Sequence, residues 1–160
     1  MAVMEGRNGK VTVDTTVGKK KLVAEMGNWS ISGWQRDLIE VSAFQDVAKR
    51  FAIGLLDPGQ VTFSGYYDPS NSSGQGKLIA AFTSGKKISN STTVGKACRK
   101  LRLWGSDDTS LSNYGFWSVI GSSGAFYITS MELGQEKSGV GSLSITAKVS
   151  SGYLAWSTST

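Results

Sequence analysis

The chain has 160 residues, 17 Lys and Arg against 12 Asp and Glu, and a formal net charge of +5. With no His and one Cys, Cys98, it excludes Ser-His-Asp and Cys-His catalysis, His-based metal sites, multi-cysteine zinc sites and an internal disulfide. Twenty Gly, 2 Pro and 39% hydrophobic residues describe a folded chain with many turns, and this length buries one core.

A single domain over 1–160 is therefore expected, with an arm at about residues 1–9 and a tail at about 151–160. The N-terminal MAVMEGRNGKVTV lacks an apolar run behind positive charge, so no signal peptide is expected. No stretch approaches the roughly 18 apolar residues of a membrane span, so no membrane insertion is expected.

In chain order, Val11, Val13 and Thr15 share one face of a strand over Lys10 to Val17. A basic turn, Gly18 to Lys21, separates it from a second strand over Leu22 to Met26. Trp29, Ile31 and Gly33 alternate with Ser30 and Ser32, the period of a half-buried strand, and a further strand is expected at Leu38 to Ser42. Phe44, Val47, Ala48, Phe51, Ala52 and Leu55 recur at spacings of three and four. That spacing predicts a short helix from Phe44 to Leu56, ended by Asp57-Pro58-Gly59.

Val61, Phe63 and Gly65 alternate with Thr62 and Ser64 in a strand over Gln60 to Tyr67. Asp68-Pro69-Ser70-Asn71 opens a helix whose body is Lys77 to Phe82 and whose stop is Gly85, followed by Lys86 and Lys87. Later strands are expected at Cys98 to Trp104, Phe116 to Ile120, Ala125 to Met131 and Leu143 to Val149, with a loop from Gly105 to Gly115. The fold class is mainly β: a β-sandwich or partly open barrel with one flanking α-helix and a short helical connector.

Catalytic and cofactor signals are weak. Asn90 to Ala97 has Asn where a phosphate loop needs its first Gly, and Ala where a hydroxyl must meet magnesium. Asp107-Asp108 reads as an acidic turn rather than a cation site. Asp37 and Glu40, separated by an odd number of residues, project to opposite faces of a strand and do not form a carboxylate pair; Arg36-Asp37 reads as a local or inter-subunit ion pair. Cys98 has basic neighbours but no base partner. No cofactor and no metal are expected, and the chain is not expected to be an enzyme.

Two surfaces attract attention. Lys86, Lys87, Lys96, Arg99, Lys100 and Arg102 lie near Trp104 with no acidic residue from Pro69 through Ser106, a pattern that suits either a nucleic-acid-binding barrel or solvated helix and strand ends. Gln60, Thr62, Ser64 and Tyr66 form one strand face, and Ser142, Ser144, Thr146, Lys148 and Ser150 another. Rows of Ser and Thr suit close packing against another copy or a smooth wall. Five Trp, five Tyr and six Phe exceed the needs of one small core. Trp34, Phe44, Trp117 and Trp156 are candidates for subunit contacts, while Trp29 and Phe63 are expected in the core.

From Asn28 to Pro69 the order of parts is a Trp-Ser-x-Ser-Gly-like strand, Arg36-Asp37 leading into Ile39-Glu40-Val41-Ser42, then Gly54-Leu55-x-Asp57-x-Gly59, Val61 to Gly65 and Tyr67-Asp68-Pro69. With Phe126 to Met131 and Gly141 to Ser150 as last strands, this order resembles the major tail tube proteins of long-tailed (siphovirus-type) bacteriophages. The resemblance implies a structural subunit that self-assembles into stacked homohexameric rings forming a channel for genome delivery. It implies other phage tail proteins as partners, transient non-specific passage of double-stranded DNA, and a place in the virion tail after synthesis in the host bacterial cytoplasm. Implied contact residues are Trp34, Arg36, Phe44, Lys49, Arg50, Phe51, Trp117 and Trp156, with Phe44 to Leu56 reaching a neighbouring ring and Lys49-Arg50 meeting Asp107 or Glu132 of another copy. Implied channel-facing residues are Gln60, Thr62, Ser64, Ser142, Ser144 and Thr146.

Overall fold

The computed structural model describes residues 9–16, 19–24, 28–71, 74–89, 99–106, 115–120, 124–135, 137 and 139–158. The elements in order are β1 (Lys10–Thr16), β2 (Lys19–Ala24), β3 (Asn28–Glu40), β4 (Phe51–Tyr66), α1 (Gln75–Thr83), β5 (Ile88–Ser89), β6 (Arg99–Ser106), β7 (Gly115–Ile120), β8 (Ala125–Gly134), β9 (Ser142–Ser150) and β10 (Tyr153–Ser157). Expectations on Asn90 to Cys98, Asp107-Asp108 and the N-terminal residues 1–8 lie outside the described residues.

Two antiparallel layers face each other. One is β3-β4-β9-β8; the other is β2-β1-β6-β7-β10. The two-residue β5 joins them, pairing parallel to β6 and antiparallel to β8. Alternation builds the core: Val61 and Phe63 of β4, Leu143, Ile145, Ala147 and Val149 of β9, Val11 and Val13 of β1, and Leu101 and Leu103 of β6 are all buried together. Trp29 packs against this cluster, and its Nε1 donates to the Trp104 carbonyl at 2.9 Å, tying one layer to the other. Both residues expected in the core are there.

The helix is fastened by polar groups. Its N-cap residue is Gly74, not Ser or Asn. Asn71 instead accepts the Gly74 N–H and donates to the Leu22 carbonyl, each at 2.9 Å. Buried Gln75 accepts the Asp68 N–H and donates to the Val23 and Tyr66 carbonyls at 2.8 and 2.7 Å, so its burial leaves no unmet group on that amide. Gly85, at φ 64°, ends the helix; the Gly85 and Lys86 N–H groups return to the Phe82 and Ala81 carbonyls in a Schellman arrangement.

Three expectations require correction. Lys19 to Lys21, expected in a turn, belong to β2 and pair with β1. The strands expected at 29–33 and 38–42 are one 13-residue strand, β3. The short helical connector from Phe44 to Leu56 does not form: residues 41–50 are a loop with a turn, and 51–56 belong to the 16-residue β4. Phe51, Ile53 and Leu55 also sit two apart, a strand period hidden inside the helical one, and pairing with β3 satisfies their backbone where an isolated helix of this length is marginal. Asp57-Pro58-Gly59 therefore lies inside a strand. Pro58 is tolerated because β9 pairs only with residues 60–66 of β4, leaving one ladder to serve at Pro58.

In the second layer, Arg102 of β6 makes a two-armed ion pair with Asp14 of β1, the second arm at 3.1 Å, and both side chains are over nine-tenths buried. Trp104 Nε1 donates to Thr12 Oγ1 at 2.9 Å one step along. These bonds fix the β1–β6 register on the buried face of that ladder opposite Val11, Val13, Leu101 and Leu103. Replacing Asp14 with Ala strands a buried guanidinium, so a loss of about 3–5 kcal/mol is expected in chemical denaturation.

Candidate functional site

The outer face of β3-β4-β9-β8 collects the polar residues that the sequence singled out. Directly opposite residues share a face, and the register aligns Ser30, Thr62, Thr146 and Ser130 in one row and Asn28, Ser64, Ser144 and Glu132 in the next. Tyr66, Ser142 and Gly134 form a third row, and Ser32, Gln60, Lys148 and Tyr127 a fourth. The Thr62 and Thr146 hydroxyls lie 3.4 Å apart. All six expected channel-facing residues thus sit on one surface, the reverse of the face that carries Val61, Phe63 and Ile145.

A pair of glycines then shifts the alternation. Gly33 and Gly59 face each other across the β3–β4 ladder with φ of 68° and 80°, a region open to Gly and strained for other residues. Ile31 packs on the core, and Trp34, three residues later, stacks edge-on to core-facing Trp117 at 5.8 Å. On β4 the same shift brings Asp57 to the polar side with Gln60. There Asp57 Oδ1 accepts from Lys148 Nζ at 2.8 Å and from the Gly59 N–H at 2.9 Å. The lysine first and the amide second lower the Asp57 carboxyl pKa, so the pair persists to lower pH than it would with an unperturbed aspartate.

Beyond the glycines, β3 and β4 continue as a hairpin that, among the described residues, pairs only with itself. Its loop is ordered by hydrogen bonds from the Val41 N–H to the Arg50 carbonyl, the Arg50 N–H to Ser42 Oγ and the Ala43 N–H to Asp46 Oδ2. Phe44 and Val47 are fully exposed; Leu38, Ile39, Val41, Phe51, Ile53 and Leu55 are also exposed, Leu55 at 89%. An apolar surface of this extent marks an interaction site.

The expected contact residues separate into two groups. Phe44, Lys49, Arg50 and Phe51 lie on the hairpin, as does Arg36, whose guanidinium donates to the Gly54 carbonyl at 3.5 Å. Lys49 pairs with Glu40 at 3.2 Å and Arg50 with Asp46 at 3.8 Å within the same chain, exposed pairs that contribute little to stability. Trp34, Trp117 and Trp156 form a second group, with Trp117–Trp156 centroids 5.8 Å apart. The C-terminal tail is itself strand β10, paired with β7 from Tyr153 to Ser157. Leu38, Ile39, Val41 and Ile53 were not among the expected contact residues, although Ile39 and Val41 are two apart, as is Ile53 from Phe51 and Leu55.

At the end of the sheet opposite the hairpin is a cleft of about 440 Å³ lined by Asn28, Ser64, Tyr66, Glu132, Leu133 and Val140 among others. Tyr66, Leu133 and Val140 are exposed apolar groups. The basic surface fares differently. Arg102 is consumed by Asp14, and Trp104 is 2% exposed beneath Lys10 and Phe116. Neither is available to stack a base or meet a phosphate. Lys86 and Lys87 are exposed, Lys100 is half-buried, and Lys96 lies outside the described residues. No group of three or more metal-ligating side chains occurs among the described residues, and no described helix is long and apolar enough to cross a membrane.

The fold is similar to that of chains in solved tail and tube assemblies. Solved structures similar to it include the tail of an empty gene transfer agent particle with C6 symmetry, at 14% identity over 96% of this chain and 98% of that one, TM-score 0.58. The SPP1 tail tube matches at 13% identity over 97% of this chain and 80% of that one, TM-score 0.57. A chain of an extracellular contractile injection system sheath–tube complex matches at 13% identity, covering 91% and 88%, TM-score 0.56. No protein-family model matches the sequence, and no curated protein does.

The glycine kink supplies a direct check. A Cβ at Gly59 would stand 2.4 Å from the Ser32 carbonyl oxygen and 3.0 Å from the Trp34 N, both backbone atoms. Gly59→Ala is expected to cost at least about 1–2 kcal/mol in urea denaturation.

Proposed function

We propose that this chain is a structural subunit of a bacteriophage tail tube, in which homohexameric rings stack around a channel for DNA. The observation that carries the proposal is the β3–β4 hairpin. Nine exposed large apolar side chains, from Trp34 to Leu55, stand on it, an arrangement a monomer in water does not favour and a second copy relieves. Six-fold rings draw support from the C6 symmetry of the similar gene transfer agent tail.

Lateral assembly uses open sheet edges. Among the described residues β3 has β4 as its one strand neighbour, and of β8 only Ala125 and Phe126 pair with β5. Pairing the β3 edge of one copy with the later part of β8 in the next continues the sheet, and closure of the ring removes both edges. The Ser/Thr face then becomes a channel wall low in charge, which lets DNA pass without being held. Axial assembly uses the sheet's two ends: the hairpin of one copy reaches the cleft at Tyr66, Leu133 and Val140 in the next ring, where Glu132 meets Lys49 or Arg50. Trp34, Trp117 and Trp156 brace the root of the hairpin. Other tail proteins bind the ends of the tube, the chain catalyses no reaction, and its place is the virion tail after synthesis in the host cytoplasm.

Negative-stain electron microscopy over a concentration series tests this reading. Rings or hollow tubes of uniform diameter are expected; a strictly monomeric protein with strong, salt-dependent DNA binding would instead support a nucleic-acid-binding barrel. Replacing Leu55 or Phe44 with Ser removes apolar area worth about 1.5–3 kcal/mol per contact. Each change is expected to raise the concentration needed for stacking by at least about tenfold, measured by sedimentation, with the thermal unfolding of the subunit unchanged.

A further inference from the structure

We infer that Asp57 masks the charge of Lys148, so that the channel wall presents no unpaired cation to passing DNA. The inference rests on the reading of the β3-β4-β9-β8 face as that wall.

Along the described rows Asn28–Ser30–Ser32, Gln60–Thr62–Ser64–Tyr66, Ser142–Ser144–Thr146–Lys148–Ser150 and Ser130–Glu132, Lys148 is the one cation. It stands opposite Gln60 on one side and Tyr127 on the other, in the middle of the sheet, where a free ammonium would face the channel. Its Nζ meets Asp57 Oδ1 at 2.8 Å, with the two side chains 45% and 42% exposed. A pair this open adds little to folding stability. What it does alter is the local potential. Every copy in a tube repeats the position, and each lysine that neutralises a phosphate strengthens attachment in a salt-dependent way.

Asp57 is placed for this task rather than drawn in by chance. Without the Gly33–Gly59 phase shift, strict alternation from Gln60 would turn residue 57 toward the core side. With it, Asp57 joins the polar face, and the Gly59 N–H at 2.9 Å holds the same Oδ1 that receives the lysine. The carboxylate is thus oriented from its own strand before Lys148 arrives. The Asp-Pro-Gly sequence therefore works as a kink that delivers a counter-charge.

The test uses assembled tubes of the full chain, a short fluorescent DNA duplex and a titration at several salt concentrations. Lys148→Gln tubes should bind the duplex no more tightly than wild type, because the masked lysine offers no phosphate contact and its removal leaves the Asp57 carboxylate unpaired. Asp57→Asn keeps an acceptor for Gly59 but frees the lysine. Its tubes should bind the duplex more tightly, with the log–log salt slope steeper by about 0.9 for each phosphate engaged. Adding Lys148→Gln to Asp57→Asn should restore wild-type binding, a rescue that a purely structural role for Asp57 would not show. Unchanged binding by Asp57→Asn tubes overturns the inference, as does tight binding that persists in the double variant, or tighter binding by Lys148→Gln alone. Failure of the wild-type chain to form tubes is a different result, visible by microscopy before any DNA is added, and overturns the assembly reading together with the mask.

Discussion

A strand that outgrows its core governs this molecule. At about 3.3 Å per residue, the 16 residues of β4 extend roughly 50 Å, whereas β9 covers only residues 60–66. Over that covered part the alternation Val61, Phe63 against Thr62, Ser64 separates a dry face from a wet one, and the second layer closes over the dry face. Over the rest, the only strand partner among the described residues is β3. The backbone of the hairpin is satisfied by its own ladder, but most of its large apolar side chains are left exposed by the described residues. The part of the chain that folds and the part that reaches outward are therefore one continuous strand.

The boundary between those parts is the Gly33–Gly59 pair. Positive φ at both positions lets the ribbon change phase without breaking its hydrogen bonds, which redirects Trp34 to Trp117 and Asp57 to Lys148 at one stroke. The tryptophans give the hairpin a rigid root, through edge contacts that link β3, β7 and β10. On the other side, the Asp57–Lys148 pair lowers the net charge of a face built chiefly from Ser, Thr and Gln. Such a face resists ordinary burial because its hydroxyls need partners, yet it offers DNA few points of attachment.

The buried polar groups of the second layer set register rather than reach a ligand. Asp14–Arg102 and Thr12–Trp104 fix β1 against β6, and Gln75 fixes the helix to β2 and β4. This accounts for two of the residues that suggested a nucleic-acid surface: Arg102 is a buried strut between β1 and β6, and the indole expected to stack bases is covered by Phe116 and Lys10.

The sequence by itself determined the strands of the covered region, because alternation at Trp29 to Ser32, Val61 to Ser64 and Ser142 to Val149 reports a face that must be dry. It also determined the polar rows, the glycine that stops the helix and the absence of histidine chemistry. Only tertiary structure decided the segment from Phe44 to Leu56, where three-and-four spacing and two-residue spacing coexist and pairing with β3 selects the strand. It decided, too, that Asp57-Pro58-Gly59 is a kink within a ladder rather than the end of a helix, since Gly59 reveals its role only when Gly33 lies opposite. Arg102 and Trp104 were legible as basic and aromatic but not as buried, because the carboxylate and hydroxyl that satisfy them, Asp14 and Thr12, stand about 90 residues away in the chain. Local periodicity reports whether a residue has a dry side; which distant residue meets it depends on how the layers close.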